Sequence, residues 1–312
     1  MEPRIIYVSQ GANSTDLKNC GSTTRPCNHL QRAIQISKES DIILLNVEYI
    51  YVQSEYVKIP HSLTISSYQE QGDGKYSRKA TLVYKEDVNY SLFVVAANLK
   101  VSNVSMKILG LQHFQLQLFK LITEGNISKG TQVGHSNIEI SNVLFNGASS
   151  VHSQKAHNMK RHLDKNALLN NRHLNLKLHS CTFITTTLSI TGTNQGEIHI
   201  TGNLIKTSRL ELSFSSKTLS SFINNQFRQS LVTHYFSNSE KEFTIESPHY
   251  IDECTFDNTE VQVTFFKSGK LYVSNTHFKQ SSIRVNNMIN LYNKIIMSMK
   301  KTGITNIHNE PQ

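Results

Sequence analysis

Ser180-Cys-Thr-Phe183, Gly202-Asn-Leu-Ile205, Asn224-Asn-Gln-Phe227, Glu253-Cys-Thr-Phe256 and Asn275-Thr-His-Phe278 are five versions of one pattern, a polar or turn-forming residue three places before a bulky apolar anchor. Successive anchors lie 22, 22, 29 and 22 residues apart. Two upstream stretches, Asn103-Val-Ser-Met106 and Asn142-Val-Leu-Phe145, fit the same frame with steps of 39 and 38 that imply inserted loops. Self-similarity at a fixed period is the signature of a repeat architecture, so it is weighed before any local pattern.

The residues around each anchor alternate. Five places before the anchors stand Val101, Ile140, Leu178, Ile200, Phe222, Ile251 and Val273. Two places earlier come Leu99, Ile138, Leu176, Ile198, Ser220, His249 and Leu271, and a spacing of two is the strand period. Beyond the anchor follow Leu188 with Ile190, Leu210 with Leu212, Val261 with Val263, and Ile283 with Val285; one unit keeps only Val232, beside His234. Each unit therefore holds two or three short strands and no 3.6-residue apolar pattern of helical length. A single unit cannot bury its apolar face. Stacked units can, because parallel strands ~4.8 Å apart pile equivalent side chains into continuous columns.

These observations predict an all-β chain folded as a right-handed parallel β-helix of 22 residues per coil. A leucine-rich repeat is the close rival, with a β-sandwich behind it, but the Asn spacing and the strand character of the rest of the unit favour the β-helix. Thr186, Ser208, Ser230, Thr259 and Ser281, three places past the anchors, are small hydroxyl residues suited to corners that bond neighbouring backbone.

The amino-terminal segment reads differently. Residues 1–40 give a strand, a close Cys20/Cys27 pair and a short helix with Leu30, Ala33 and Ile34 on one face, capped by Asn28 with Gln31 at the capping-box position. Such a helix would plug the open end of the solenoid, and a Cys20–Cys27 disulfide would clip it. The solenoid itself spans 41–285, with loop insertions near 66–80 and 147–173. Residues 286–312 form a carboxyl-terminal cap or tail, with Met288 to Lys301 read as a final helix or an irregular coil.

The run Ile6-Tyr-Val-Ser, Cys20-Gly, Pro26-Cys27, Leu30 and Ala33-Ile34, with Asp41-Ile-Ile-Leu44 and Ile59-Pro-His-Ser-Leu-Thr-Ile65, resembles the opening of secreted β-helix proteins of the pectin-lyase-like group. It is more distantly similar to polymorphic outer-membrane-type surface proteins. The Gly-Gly-Ala-Ile motif of the latter is absent, and Phe145-Asn146 and Phe256-Asp-Asn258 only approach their Phe-x-x-Asn motif. The resemblance implies the fold, and it raises glycoside hydrolases and polysaccharide lyases as relatives whose chemistry must be sought.

Hydrolysis of a glycosidic bond needs carboxylates that converge on it. The best cluster is Asp252, Glu253 and Asp257, with Glu260, but no matching acid stands in the equivalent columns one coil away. A lyase needs a basic residue and usually a calcium cage; Lys206 and Arg209 have no such cage beside them. His152, His157, His162, His173 and His179 do not share a helical face, so no metal centre is read from them. Cys181 and Cys254 fall in one column three coils apart, ~14 Å against the ~7 Å a disulfide tolerates, and read as buried thiols. No cofactor is implied.

Charge points outward. The net charge of +9 is concentrated between Lys155 and Lys177, where six Lys or Arg meet only Asp164, which marks a solvated insertion more than a nucleic-acid site. No apolar run reaches the ~18 residues of a membrane span, and no signal-peptide pattern precedes Ile5. Four sequons, at Asn13, Asn89, Asn103 and Asn126, and the close cysteine pair suit an oxidising compartment. The functional reading is a non-catalytic secreted or cell-surface module for recognition or adhesion, partnering a glycan or a protein. Tyr235, Tyr250 and Tyr272, with Phe236 among them, are candidate sugar-stacking aromatics, and Lys160 and Arg161 are candidate polar contacts. The alternative is a polysaccharide-active enzyme; a second is a structural spacer.

Overall fold

The apolar pairs picked out by the period all lie in strands, and each strand pairs in parallel with its counterpart one coil away. The computed structural model describes residues 2–53, 57–68, 78–84, 91–95, 97–108, 116–121, 135–147, 173–191, 196–215, 218–237, 248–265, 270–287, 294–298 and 307–311. Among the described residues three parallel sheets run along the molecule, of eleven, nine and nine strands. The first sheet begins at Ile5–Val8 and ends at Lys294–Ser298, the second runs from Ile50–Gln53 to His277–Lys279, and the third from Val57–Ile59 to Ile307–Pro311. Each full coil contributes one strand to each sheet, the arrangement of a parallel β-helix.

Register confirms the columns. Leu176, Ile198, Ser220, His249 and Leu271 follow one another in the first sheet. Phe183, Ile205, Phe227, Phe256 and Phe278 do so in the second, and all five are buried. Phe227 stacks on Phe256 with ring centroids 4.6 Å apart, and Phe256 on Phe278 at 4.9 Å. Removing one such side chain from water is worth roughly 2 kcal/mol, and the column repeats it in every coil.

Two corners turn the chain by left-handed residues. Between the first and second sheets stand Asn103, Asn142, Ser180, Gly202, Asn224, Glu253 and Asn275, all at positive φ. Between the second and third stand Thr185, Thr207, Gln229, Asn258 and Gln280, also at positive φ. Asn and Gly adopt this region readily, whereas Thr is strained there, so the stacked coils must hold those threonines in place. The ladder continues round the bend: Asn224 N–H donates to Asp252 O at 3.0 Å and Glu253 N–H to Ser274 O at 3.2 Å. The hydroxyl column behaves as expected. Ser208 Oγ accepts from Thr186 N–H at 3.2 Å and donates to Lys206 O at 2.7 Å, and Ser230, Thr259 and Ser281 repeat the pattern.

The amino-terminal end is closed as a cap. Cys20 and Cys27 form a disulfide, and the helix Leu30–Ile36 buries Leu30, Ala33 and Ile34. Its N-cap is His29, with no side-chain cap bond, rather than Asn28. Asp16, which precedes the disulfide, holds the entry to the helix: its Oδ1 accepts from Asn28 N–H at 3.0 Å and His29 N–H at 3.1 Å. At the other end, 294–298 and 307–311 are strands that continue the first and third sheets, where a helix or irregular coil was expected over part of this stretch. The insertions near 66–80 and 147–173 fall mostly on 69–77 and 148–172, outside the described residues. No helix among the described residues is long and apolar enough to cross a membrane.

Candidate functional site

The acidic cluster is spread around the coil. Asp252 ends a first-sheet strand, Glu253 occupies the exposed corner after it, Asp257 ends a second-sheet strand and Glu260 begins a third-sheet strand. Three sheets thus carry acids that were adjacent in sequence, so their carboxylates diverge. Three of the four are engaged locally: Asp252 Oδ1 accepts from Ser274 Oγ at 2.7 Å and Asn275 Nδ2 at 3.1 Å, Asp257 lies 4.0 Å from Lys279 Nζ, and Glu260 accepts from Gln262 Nε2 at 2.9 Å. Arg209 pairs with Glu211, and Lys206 is exposed at the end of its strand. No group of three or more His, Cys, Asp or Glu suited to a metal ion occurs among the described residues.

The aromatic candidates separate. Tyr250 and Tyr272 are partners in the first sheet, with ring centroids 5.1 Å apart and planes at 18°. Tyr235 lies in the third sheet, opposite Ser213 and Thr264, so it does not join them. The side chain of Phe236, together with Lys160, Arg161 and the histidines at 152, 157 and 162, lies outside the described residues. His179 is described and lies 3.4 Å from Glu139 Oε1, which Lys100 Nζ also approaches at 2.9 Å. The Lys100 ammonium holds the Glu139 carboxyl below the usual carboxylate range, helped by His179 against partial burial.

The outward column that carries the tyrosine pair runs Glu139, Lys177, His199, Ser221, Tyr250, Tyr272. Stacking with Tyr272 covers one face of Tyr250, and the neighbour of Tyr250 on the other side in register is the buried Ser221. Tyr250 is 39% exposed, among the most exposed large hydrophobic side chains described. Its strand places Asp252 two residues on, hence on the same face, and Tyr272 has Ser274 in the equivalent place.

Sequence reasoning missed one arrangement here. His199 Nδ1 lies 2.7 Å from Ser221 Oγ, and His199 Nε2 lies 3.2 Å from Glu197 Oε2. A serine, a histidine and a carboxylate in line can move a proton. Acyl transfer also needs donors aimed at the developing oxyanion, and the backbone N–H groups of these strands lie in the plane of the sheet, within its parallel ladder. The line is therefore a fixed hydrogen-bonding rim beside the tyrosines. The 22-residue spacing of His199 and Ser221 was the signal that could have found it.

The thiols do not offer a nucleophile. Cys181 and Cys254 are buried, and burial pushes each thiol up to about 11. They share a column with Asn203, Asn225 and Thr276, all buried, in which Asn225 Oδ1 accepts from both the backbone and side-chain N–H of Asn203 at 3.0 Å. Two sequons, at Asn89 and Asn126, lie outside the described residues.

No protein-family model matches the sequence, and no curated protein does. Among solved structures, the chain is similar to the GH136 lacto-N-biosidase from Eubacterium ramulus. The selenomethionine derivative of that protein shares 10% identity over 98% of this chain and 68% of that chain, with a TM-score of 0.40. The native protein gives 10% identity, 94% and 68% coverage, and a TM-score of 0.35. At these values the likeness carries no weight for what this chain does, and the fold rests on the pairing register.

Proposed function

We propose that this chain is a non-catalytic, extracellular recognition module that binds glycan on the outward face of its first sheet. The observation that carries the reading is the stacked pair Tyr250 and Tyr272 on the outward side of the first sheet, with Tyr250 exposed. Tyrosine offers a large rigid contact area at small entropic cost and a hydroxyl at its edge, which suits a pyranose ring with an apolar face and a polar rim. A sheet stitched on both sides by parallel strands fixes those rings before the ligand arrives, so little ordering is left to offset binding. The divergent acids favour binding over bond cleavage, since hydrolysis needs two carboxyl groups facing each other across one bond. The disulfide in the cap suits an oxidising compartment, which supports placement outside the cytosol.

The test is a glycan array probed with the intact chain and with Tyr250→Ala/Tyr272→Ala. The expected outcome is binding to a defined group of glycans that the double variant loses while its circular dichroism stays unchanged. Equal profiles for the two proteins, no binding by either, or shortening of a bound glycan over time would each count against the reading.

A further inference from the structure

The residue that follows each second-sheet anchor points away from the core. In the seven coils from Met106 to Phe278 it is a cation four times, as Lys107, Lys206, Arg228 and Lys279, all exposed. Strand pairing puts Lys107, Asn146, Ile184, Lys206, Arg228, Asp257 and Lys279 into one outward column. We propose that Lys206 and Arg228 form a binding site for the sulfate ester of a sulfated glycan, on a different sheet from Tyr250 and independent of that site.

Lys206 and Arg228 stand directly opposite each other on adjacent strands, with backbones ~4.8 Å apart. Like charges in that relation repel and cost stability, and an anion seated between them removes the cost. Their own coils supply no such anion. Among the described residues 204–215 and 226–237 the one acid is Glu211, with which Arg209 pairs. The next coil brings Asp257, opposite Arg228 and 4.0 Å from Lys279 Nζ, and Glu253 at the exposed corner before it. Against Lys206, Arg228 and Lys279 the column therefore sets one carboxylate, and that carboxylate lies on the far side of Arg228 from Lys206. Gln226, on the same strand and face as Arg228, accepts from its Nη2 at 3.3 Å and orients the guanidinium.

The chemistry of the pair selects the anion. Arginine presents a planar fork of donors and lysine a compact point charge. A sulfate ester has three terminal oxygens, so two can take the fork of Arg228 while the third meets Lys206. A carboxylate spends both oxygens on the fork, and a phosphodiester likewise has only two unbridged oxygens. The disulfide of the cap suits an oxidising, extracellular setting, which favours a sulfated glycan over an intracellular polyanion.

Lysine acylation read by peptide mass spectrometry tests the site on the full chain. The ligands are a heparin oligosaccharide, its desulfated counterpart, which keeps the carboxylates, and a single-stranded oligonucleotide. With the heparin oligosaccharide at about ten times its Kd, labelling of Lys206 should slow about tenfold by mass action, while exposed Lys18 and Lys58 keep their rates. The other two ligands should leave Lys206 unprotected. Arg228→Gln, with circular dichroism confirming its fold, should cut the protection to about twofold at the same ligand concentration, as a tenfold loss of affinity requires. Tyr250→Ala/Tyr272→Ala should keep the full protection. Unchanged labelling of Lys206 in the presence of the heparin oligosaccharide would overturn the site, even with lysines of the 155–177 segment protected. Full protection in Arg228→Gln, its loss in the tyrosine variant, or equal protection by the desulfated ligand or the oligonucleotide would overturn it as well.

Discussion

His234 and His249 meet edge to face inside the core, with ring centroids 5.8 Å apart, one from the third sheet and one from the first. Ser220 Oγ lies 2.9 Å from His249 Nδ1, and Phe222 packs against His234 at 5.5 Å. Burial drives both imidazoles toward the neutral form, lowering His249 to about 3 and His234 well below 6.5, where His249 adds its own repulsion. Their folded-state values lie under the unfolded value of 6.5, so the unfolded chain binds more protons as pH falls. Stability is complete above pH 6.5 and is lost progressively below it, down to about 3 for His249. Between pH 6.5 and 5.0 the loss from His249 should reach about 2 kcal/mol, with His234 acting in the same direction. Urea unfolding at the two pH values checks it: Ser220→Ala/His249→Leu should lose clearly less than the parent chain, and an equal loss would contradict the assignment.

Asn225 is fully buried; its Nδ2 donates to Ile200 O at 2.6 Å while its Oδ1 serves Asn203. Asn225→Ala leaves Ile200 O and Asn203 N–H of the neighbouring coil without these bonds in the core and should cost about 3 kcal/mol of unfolding free energy. Asn224→Ala, one place away at the exposed corner, loses only the ease with which Asn takes positive φ and should cost about 1 kcal/mol. Equal effects in chemical denaturation would show that the interior ladder does not contribute as described.

How far the sequence could be read shows in these same residues. The anchors from Phe183 to Phe278 were legible because stacking demands one apolar side chain per coil, and a 22-residue step keeps them visible. The second sheet also continues upstream through Tyr51 and Leu82, in register with Met106, but steps of 31 and 24 residues hid that continuity. Ser220 and His249 looked like gaps in an apolar column; they are interior residues that bond each other, a pairing 29 residues apart across the one irregular step. The Tyr250 and Tyr272 pairing follows from the period, whereas the separation of Tyr235 needed knowledge of which strand joins which sheet. The divergence of Asp252 and Asp257 depends on the left-handed turn at Glu253, which Glu as a residue type does not announce.

The Cys20–Cys27 bridge joins residues seven apart in sequence and ties down the chain just before the helix Leu30–Ile36, whose entry at Asn28 and His29 is also held by Asp16. Cys20→Ser/Cys27→Ser should lower stability by about 2 kcal/mol. Thermal unfolding of the parent chain with and without reductant should show a matching drop. A midpoint indifferent to reduction would mean that the cap does not depend on the clip.

The two described sequons differ in access. Asn13 is exposed in the cap, whereas Asn103 is at φ 58 in a corner, where its Oδ1 accepts from Asn142 Nδ2 at 3.0 Å. In a secreting, glycosylating host, peptide mapping should find glycan on Asn13 and unmodified Asn103. Occupancy at Asn103 would show that the corner forms after the sugar is attached or opens to admit it.

The most direct test of the central claim is a crystal structure of the chain with an oligosaccharide selected from the array. The expected density places a sugar ring against the Tyr250 and Tyr272 pair on the outward side of the first sheet. A ligand seated elsewhere, at the Glu253 and Asp257 corner or on the third sheet beside Tyr235, would contradict the claim that the tyrosine pair of the first sheet is the recognition site.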